Sequence, residues 1–110
     1  THQAEYDLEF IPSNSVVYND PDMTGVVASI AADKITETPE DIISYTALGG
    51  EDFSEFLAEV PGVFYFIGTG NPEKETDYPH HHPRFNIDED TLTTGVELHV
   101  RSALAYLNNF

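Results

Sequence analysis

The run Val63-Phe64-Tyr65-Phe66-Ile67 constrains this chain more than any other feature. Five consecutive apolar residues leave no wet face under period-two alternation. A strand built from them has to be covered on both sides, as strands inside α/β sheets are. Breakers bound the run, with Pro61-Gly62 before it and Gly68-Thr69-Gly70-Asn71-Pro72 after it.

The candidate cover is read from the flanking patterns. Asn19-Asp20-Pro21-Asp22 is a helix start: Asp20 can cap free N–H groups, and Pro21 suits the first helical position. Met23, Val26, Val27, Ile30 and Ala31 follow at helical spacing, so a helix is predicted from Pro21 to Lys34-Ile35. Gly25 weakens it unless close packing requires a glycine there. Residues 42–48 read as a second strand, followed by a permissive Gly49-Gly50 turn. Glu51 and Asp52 then open a short helix carrying Phe53, Phe56, Leu57 and Val60. A polar loop over 71–86 leads to a last helix capped by Asp88, with an apolar stripe of Leu92, Val96, Val100, Ala103, Leu104 and Leu107. Near the start, Tyr6, Leu8 and Phe10 alternate with Glu5, Asp7 and Glu9, the pattern of a strand wet on one side.

Strand, helix, strand, helix, strand, helix predicts an α/β layered architecture. Three strands and three helices make a thin platform for so apolar a central strand. At 110 residues the chain fits one domain, yet its own elements fall short of covering its most apolar segment.

Charge narrows the functional classes. Four basic against 20 acidic residues give a formal charge of −16, which opposes binding to nucleic-acid phosphates and to anionic lipid, and favours cations, solubility or a cationic partner. Zero cysteines exclude disulfides, thiolate zinc knuckles and a cysteine nucleophile within these residues. No apolar run approaches a membrane span, and no export signal is visible, which points to the cytoplasm.

The densest polar signal is His80-His81-His82-Pro83. Neutral imidazole ligates zinc, nickel, manganese or cobalt, but three adjacent histidines do not easily grip one ion together. Pro83 pushes His82 toward extended backbone. In an extended run His80 and His82 point one way and His81 the other. A solvated loop cluster is the competing reading. Gly49-Gly50-Glu51-Asp52 is the second signal. It opens a helix, lacks a phosphate loop's lysine and spacing, and reads either as capping by Glu51 and Asp52 or as a turn facing a substrate or a metal's surroundings. Arg84 could take a substrate carboxylate in a fork or pair with one of many local acids. His2 and His99 read as structural, and no Ser/His/Asp constellation stands out.

Taken in order, several segments resemble the C-terminal part of metal-dependent amidohydrolases of the aminoacylase/carboxypeptidase superfamily. They are Gly49-Gly50-Glu51-Asp52-Phe53-Ser54, Pro61-Gly62 with the strand to Ile67-Gly68, His81-His82-Pro83-Arg84-Phe85, Ile87-Asp88-Glu89 and Leu92-Thr93-Thr94-Gly95. The nearest branch is that of hippurate hydrolase, auxin-conjugate hydrolases and N-acetyldiaminopimelate deacetylase. The resemblance covers residues 10–107, including Tyr18-Asn19-Asp20 at the return to the catalytic domain.

That resemblance implies a two-metal hydrolase cutting the amide bond of N-acyl amino acids or small peptides. Zinc is the leading metal, with manganese, nickel or cobalt as alternatives. By the His-x-Pro-x-Phe match, His81 is the implied metal ligand. Gly49, Gly50, Glu51 and Asp52 are the implied active-site loop, and His80, His82 and Arg84 are candidates to line the site. The general base and remaining ligands are expected upstream, so no catalytic residue is assigned here and the chain alone is expected to be inactive. Residues 1–12 are expected to end a lid and dimerisation domain, and 13–110 to form the C-terminal segment of the catalytic domain. The missing N-terminal part would cover Val63 to Ile67, and the whole protein would be a homodimer. Gly50 and Asn86 depart from the commoner Ser/Ala and Asp, which leaves substrate choice open. The competing readings are a non-enzymatic acidic metal-binding or interaction module and a degenerate homologue keeping only the fold.

Overall fold

The computed structural model describes residues 4–108. Three α-helices follow in order: α1 over Pro21–Lys34, α2 over Phe53–Glu59 and α3 over Leu92–Asn108, with single 3-10 turns at Pro39–Asp41, Pro72–Lys74 and Glu89–Thr91.

Local chemistry sets the helix starts. The Asp20 carboxylate accepts from the Met23 N–H at 2.9 Å, with Pro21 at the first helical position. Nothing lies within 4 Å of a Cβ built on Gly25, so close packing does not explain that glycine. Asp52 makes no capping bond at α2; Glu51 Oε1 accepts from the Phe53 N–H at 3.2 Å instead. Asp88 accepts from the Asp90 N–H at 3.2 Å, and the helix begins as a 3-10 turn before α3 proper. Neither Gly49 nor Gly50 takes a positive φ, so their turn does not use the freedom that glycine alone has.

The expected sheet is not seen. Among the described residues no segment is a strand, so residues 4–11, 42–48 and 63–67 carry no ladder and the α/β layering is absent at this level. The physical reason is non-local. A strand is defined by peptide groups on a neighbouring strand, and no described segment offers them to 63–67.

One side chain takes part of that role. The Asn19 amide donates to the Phe64 carbonyl at 2.8 Å and accepts from the Phe64 N–H at 2.8 Å. The Asp20 N–H donates to the Gly62 carbonyl at 2.9 Å beside it. Asn19 thus offers Phe64 the donor and acceptor that a facing strand would provide.

Side chains of the segment still alternate. Phe64 and Phe66 join an aromatic cluster with Phe53 and Tyr45, at centroid distances of 5.2 to 5.4 Å. Tyr65 and Ile67 face α3: the Tyr65 hydroxyl lies 2.6 Å from His99 Nδ1, and Ile67 Cγ1 stands 3.8 Å from a Cβ built on Gly95. Partial burial pushes the Tyr65 hydroxyl pKa up. Both sides are touched, as the apolar run demands, but Phe66 remains exposed.

Helix α3 corrects the predicted stripe. Leu92, Val96, Val100, Leu104 and Leu107 are all exposed, whereas Leu98 is buried at 4% exposure. The sheltered stripe is Gly95, Leu98, Ser102 and Ala105, roughly opposite the large residues at 100° per residue. Small side chains let α3 lie close to α1.

The result is open. Among the described residues Ala31 and Leu98 are the buried apolar ones. The radius of gyration is 18.7 Å, against about 13 Å for a compact chain of this length. The accessible surface is 9561 Å², against roughly 6,000 Å² for a compact protein of this mass.

Candidate functional site

The histidine loop is built in three tiers. Its base is a polar knot that the sequence reading missed. Buried Asp88 accepts from Lys74 Nζ at 2.6 Å and from Asn71 Nδ2 at 2.7 Å, while its N–H donates to the Thr69 carbonyl at 3.0 Å. Buried Thr76 donates its hydroxyl to the Thr69 carbonyl at 3.1 Å and accepts from the Asn71 N–H at 3.0 Å. The legible signal was scarcity: Lys74 is one of four basic residues among 20 acids.

The Lys74 ammonium, followed by the Asn71 amide, holds the Asp88 carboxyl below its ordinary value of 3.8. Asp88 and Asp90 hold Lys74 above its ordinary 10.5. The signs fix the pH window. A depressed carboxyl stabilises the fold above its unfolded pKa and loses that contribution as pH falls through the folded value. A raised amine contributes below its unfolded pKa and loses that contribution as pH rises through the folded one. Hydrogen-exchange protection at the Asp88 and Thr76 amides is expected to be flat between about pH 5 and 9 and to fall below about pH 4. Protection unchanged at acid pH would refute the knot.

The second tier is a stack. The His82 ring lies on Tyr78 with centroids 4.6 Å apart and planes 13° apart. The Arg84 guanidinium carbon sits 4.5 Å from the same ring centroid, and Arg84 Nη2 reaches Glu75 Oε1 at 3.2 Å. Of the two readings of Arg84, the structure has the local ion pair. His80 packs edge-on against Phe85 at 4.8 Å and lies 6.5 Å from Phe66.

His81 is the tip. The His82 N–H donates to the Pro79 carbonyl at 3.1 Å, closing a four-residue turn with His81 third. There His81 takes φ 66°, left-handed backbone that favours glycine or asparagine. The run is therefore not extended, and the expected alternation does not operate. The turn, not a strand period, sets His81 apart. Its ring is exposed and makes no hydrogen bond among the described residues.

The second predicted element stays separate. Gly49, Gly50 and Asp52 are exposed, and no hydrogen bond or ring contact joins them to the histidines among the described residues. The aromatic series Phe53–Phe64–Phe66–His80 is what connects the two elements. Ser54, next to this turn, is 1% exposed and its hydroxyl has no partner. His99 is tied to Tyr65, and His2 lies outside the described residues. Two clefts lie away from the loop, one bordered by Asp20, Leu57 and Gly62 and one between Lys34 and Arg101.

Among the described residues no three His, Asp or Glu side chains converge to hold a metal ion. An exposed imidazole without a hydrogen-bond partner nevertheless fits a single donor to a divalent ion completed by other groups. No helix is long and apolar enough to cross a membrane.

The chain belongs to peptidase family M20/M25/M40, whose profile matches residues 4–105. It is 36% identical over 93 residues to thermostable carboxypeptidase 2 of Saccharolobus solfataricus, covering 84% of this chain and 23% of that protein. Thermostable carboxypeptidase 1 of the same organism is 37% identical over 90 residues, 82% of this chain and 22% of its own. N-acetyldiaminopimelate deacetylase of Geobacillus sp. is 28% identical over 95 residues, 86% and 23% respectively. The chain thus spans about a quarter of the length of the curated relatives it matches. No solved structure matches it.

Proposed function

We propose that this chain is the C-terminal segment of a divalent-metal amidohydrolase that cleaves the amide bond of N-acyl amino acids or small peptides. Residues 13–110 belong to its layered α/β catalytic domain, and residues 1–12 end a lid and dimerisation domain. The observation that carries the reading is His81: one exposed imidazole held at a left-handed turn by anchored neighbours, in a chain matched to the family over 4–105. The names of the relatives, carboxypeptidase and deacetylase, support amide-bearing substrates.

His81 supplies one neutral imidazole to the metal centre. His80 and His82 hold the loop from either side, and Arg84 keeps its guanidinium on Tyr78 and Glu75. Gly49, Gly50, Glu51 and Asp52 border the substrate, with the Asp52 carboxylate not used in capping. Bound metal, two ions with zinc the leading candidate, would polarise the scissile carbonyl and activate water. The upstream part of the protein supplies the general base, the other ligands and the strands that complete a sheet around 63–67. The full-length enzyme is a cytoplasmic homodimer in this reading.

The test uses full-length protein, stripped with chelator and reloaded with zinc, manganese, nickel or cobalt. Hydrolysis of an N-acyl amino acid or blocked dipeptide is expected to return with metal. The 110-residue chain alone, given the same ions, is expected to release no product. Full-length protein inert under every ion would refute the reading, as would turnover by the isolated chain.

A further inference from the structure

We propose that Tyr78 is a positioning residue, whose ring locks the turn that presents His81 to the metal. The inference deepens the reading of His81 as a ligand and rests on it.

His81 occupies left-handed backbone in which a non-glycine side chain crowds the main chain, so its neighbours have to hold it there. The turn hydrogen bond from the His82 N–H to Pro79 is a single contact on open surface. His82 is held further by the Phe85 N–H, which donates to its carbonyl at 2.9 Å, and by the Tyr78 ring, stacked on its imidazole at 4.6 Å. Tyr78 is itself held by the Arg84 guanidinium at 4.5 Å, and Arg84 by Glu75. The brace closes on itself, because the Arg84 N–H donates to His82 Nδ1 at 3.1 Å. That bond fixes the rotation of the His82 ring and leaves Nδ1 engaged.

Glu75 adds a second sign of construction. Among the described residues, it and His81 are the two non-glycine residues with positive φ, and they sit at the two ends of the brace. At 55°, Glu75 closes the 3-10 turn at Pro72–Lys74 against the polar knot. The route from the buried base to the tip therefore runs Asp88, Lys74, Glu75, Arg84, Tyr78, His82, His81. The Tyr78 ring packs on both the His82 imidazole and the Arg84 guanidinium, which places it at the centre of the brace.

The test uses full-length protein with cobalt as the probe. Affinity is read by chelator competition and coordination by the visible absorption of the bound ion. Tyr78→Leu removes the stack and is expected to weaken cobalt binding about 10–100-fold, to alter the absorption bands and to speed exchange of the His82 amide. Tyr78→Phe keeps the ring and is expected to restore all three. Arg84→Gln tests the brace a second way and is expected to shift affinity in the same direction by less. His81→Ala runs in parallel. If His81→Ala loses cobalt while Tyr78→Leu binds normally, the inference falls and the ligand reading stands. If Tyr78→Phe is as weak as Tyr78→Leu, the hydroxyl is responsible and the inference falls. If His81→Ala binds cobalt normally with unchanged bands, both fall.

Discussion

Replacing His81 by alanine in the full-length protein is expected to lower amide hydrolysis by about a thousandfold, with loss of bound metal. The magnitude follows from the several kcal/mol that a Lewis-acid ion contributes to such a reaction, since about 4 kcal/mol corresponds to three decades in rate. The backbone makes this prediction sharper than an activity assay alone. Alanine at φ 66° suffers the same steric conflict as histidine, whereas glycine does not. In metal-free protein, His81→Gly is therefore expected to be about 1 kcal/mol more stable than His81→Ala, while both lack activity. Denaturant unfolding of the two metal-free variants reads the difference. Equal stabilities would mean that position 81 is not left-handed in the working protein. Full metal content in His81→Ala would remove it from the ligand set.

Leu98→Ala is expected to be the most costly of the core truncations, at about 2–5 kcal/mol. Leu98 is 4% exposed and lies on the sheltered stripe of α3. The informative comparison is Leu107→Ala, on the opposite and exposed face. If the upstream part of the catalytic domain covers that face, Leu107→Ala in the full-length protein also loses about 2 kcal/mol or more. If the face stays in water, the loss is within about 0.5 kcal/mol, and the upstream part does not cover α3. Urea unfolding of the two full-length variants separates these results. The surface excess of the chain over a compact protein, some 3,500 Å² by the scaling above, is large enough for an extensive interface.

How much was legible follows the range of the forces involved. Asp20, Pro21 and the spacing after them defined α1 to within a residue of its end, because capping and helical periodicity act within a few residues. The Asp88 cap on the 3-10 turn that leads into α3 was legible for the same reason. Its packing face was not. Hydrophobic size pointed to Leu92, Val96 and Leu104, but two helices approach closely through small residues, and Gly95, Ser102 and Ala105 lie on the sheltered stripe. Residues 63–67 announced that both faces wanted cover, and the alternating contacts to α3 and to the aromatic cluster show two sides in use. A ladder was not legible, since it depends on a partner at any distance along the chain. Asn19, 45 residues before Phe64, is the partner the structure reveals.

The sequence by itself determined where helices begin, which segment is most apolar, that the chain carries −16 of formal charge, and which histidine the family resemblance singles out. These are properties of composition, short-range spacing and motif order. Only the tertiary structure decided that His81 stands at a left-handed turn, that Arg84 is held by Glu75 and Tyr78, and that Asp88 ties the loop to Lys74 and Asn71. Each of those depends on groups brought together from across the loop, where hydrogen-bond geometry and ring contact, not spacing along the chain, select the partner.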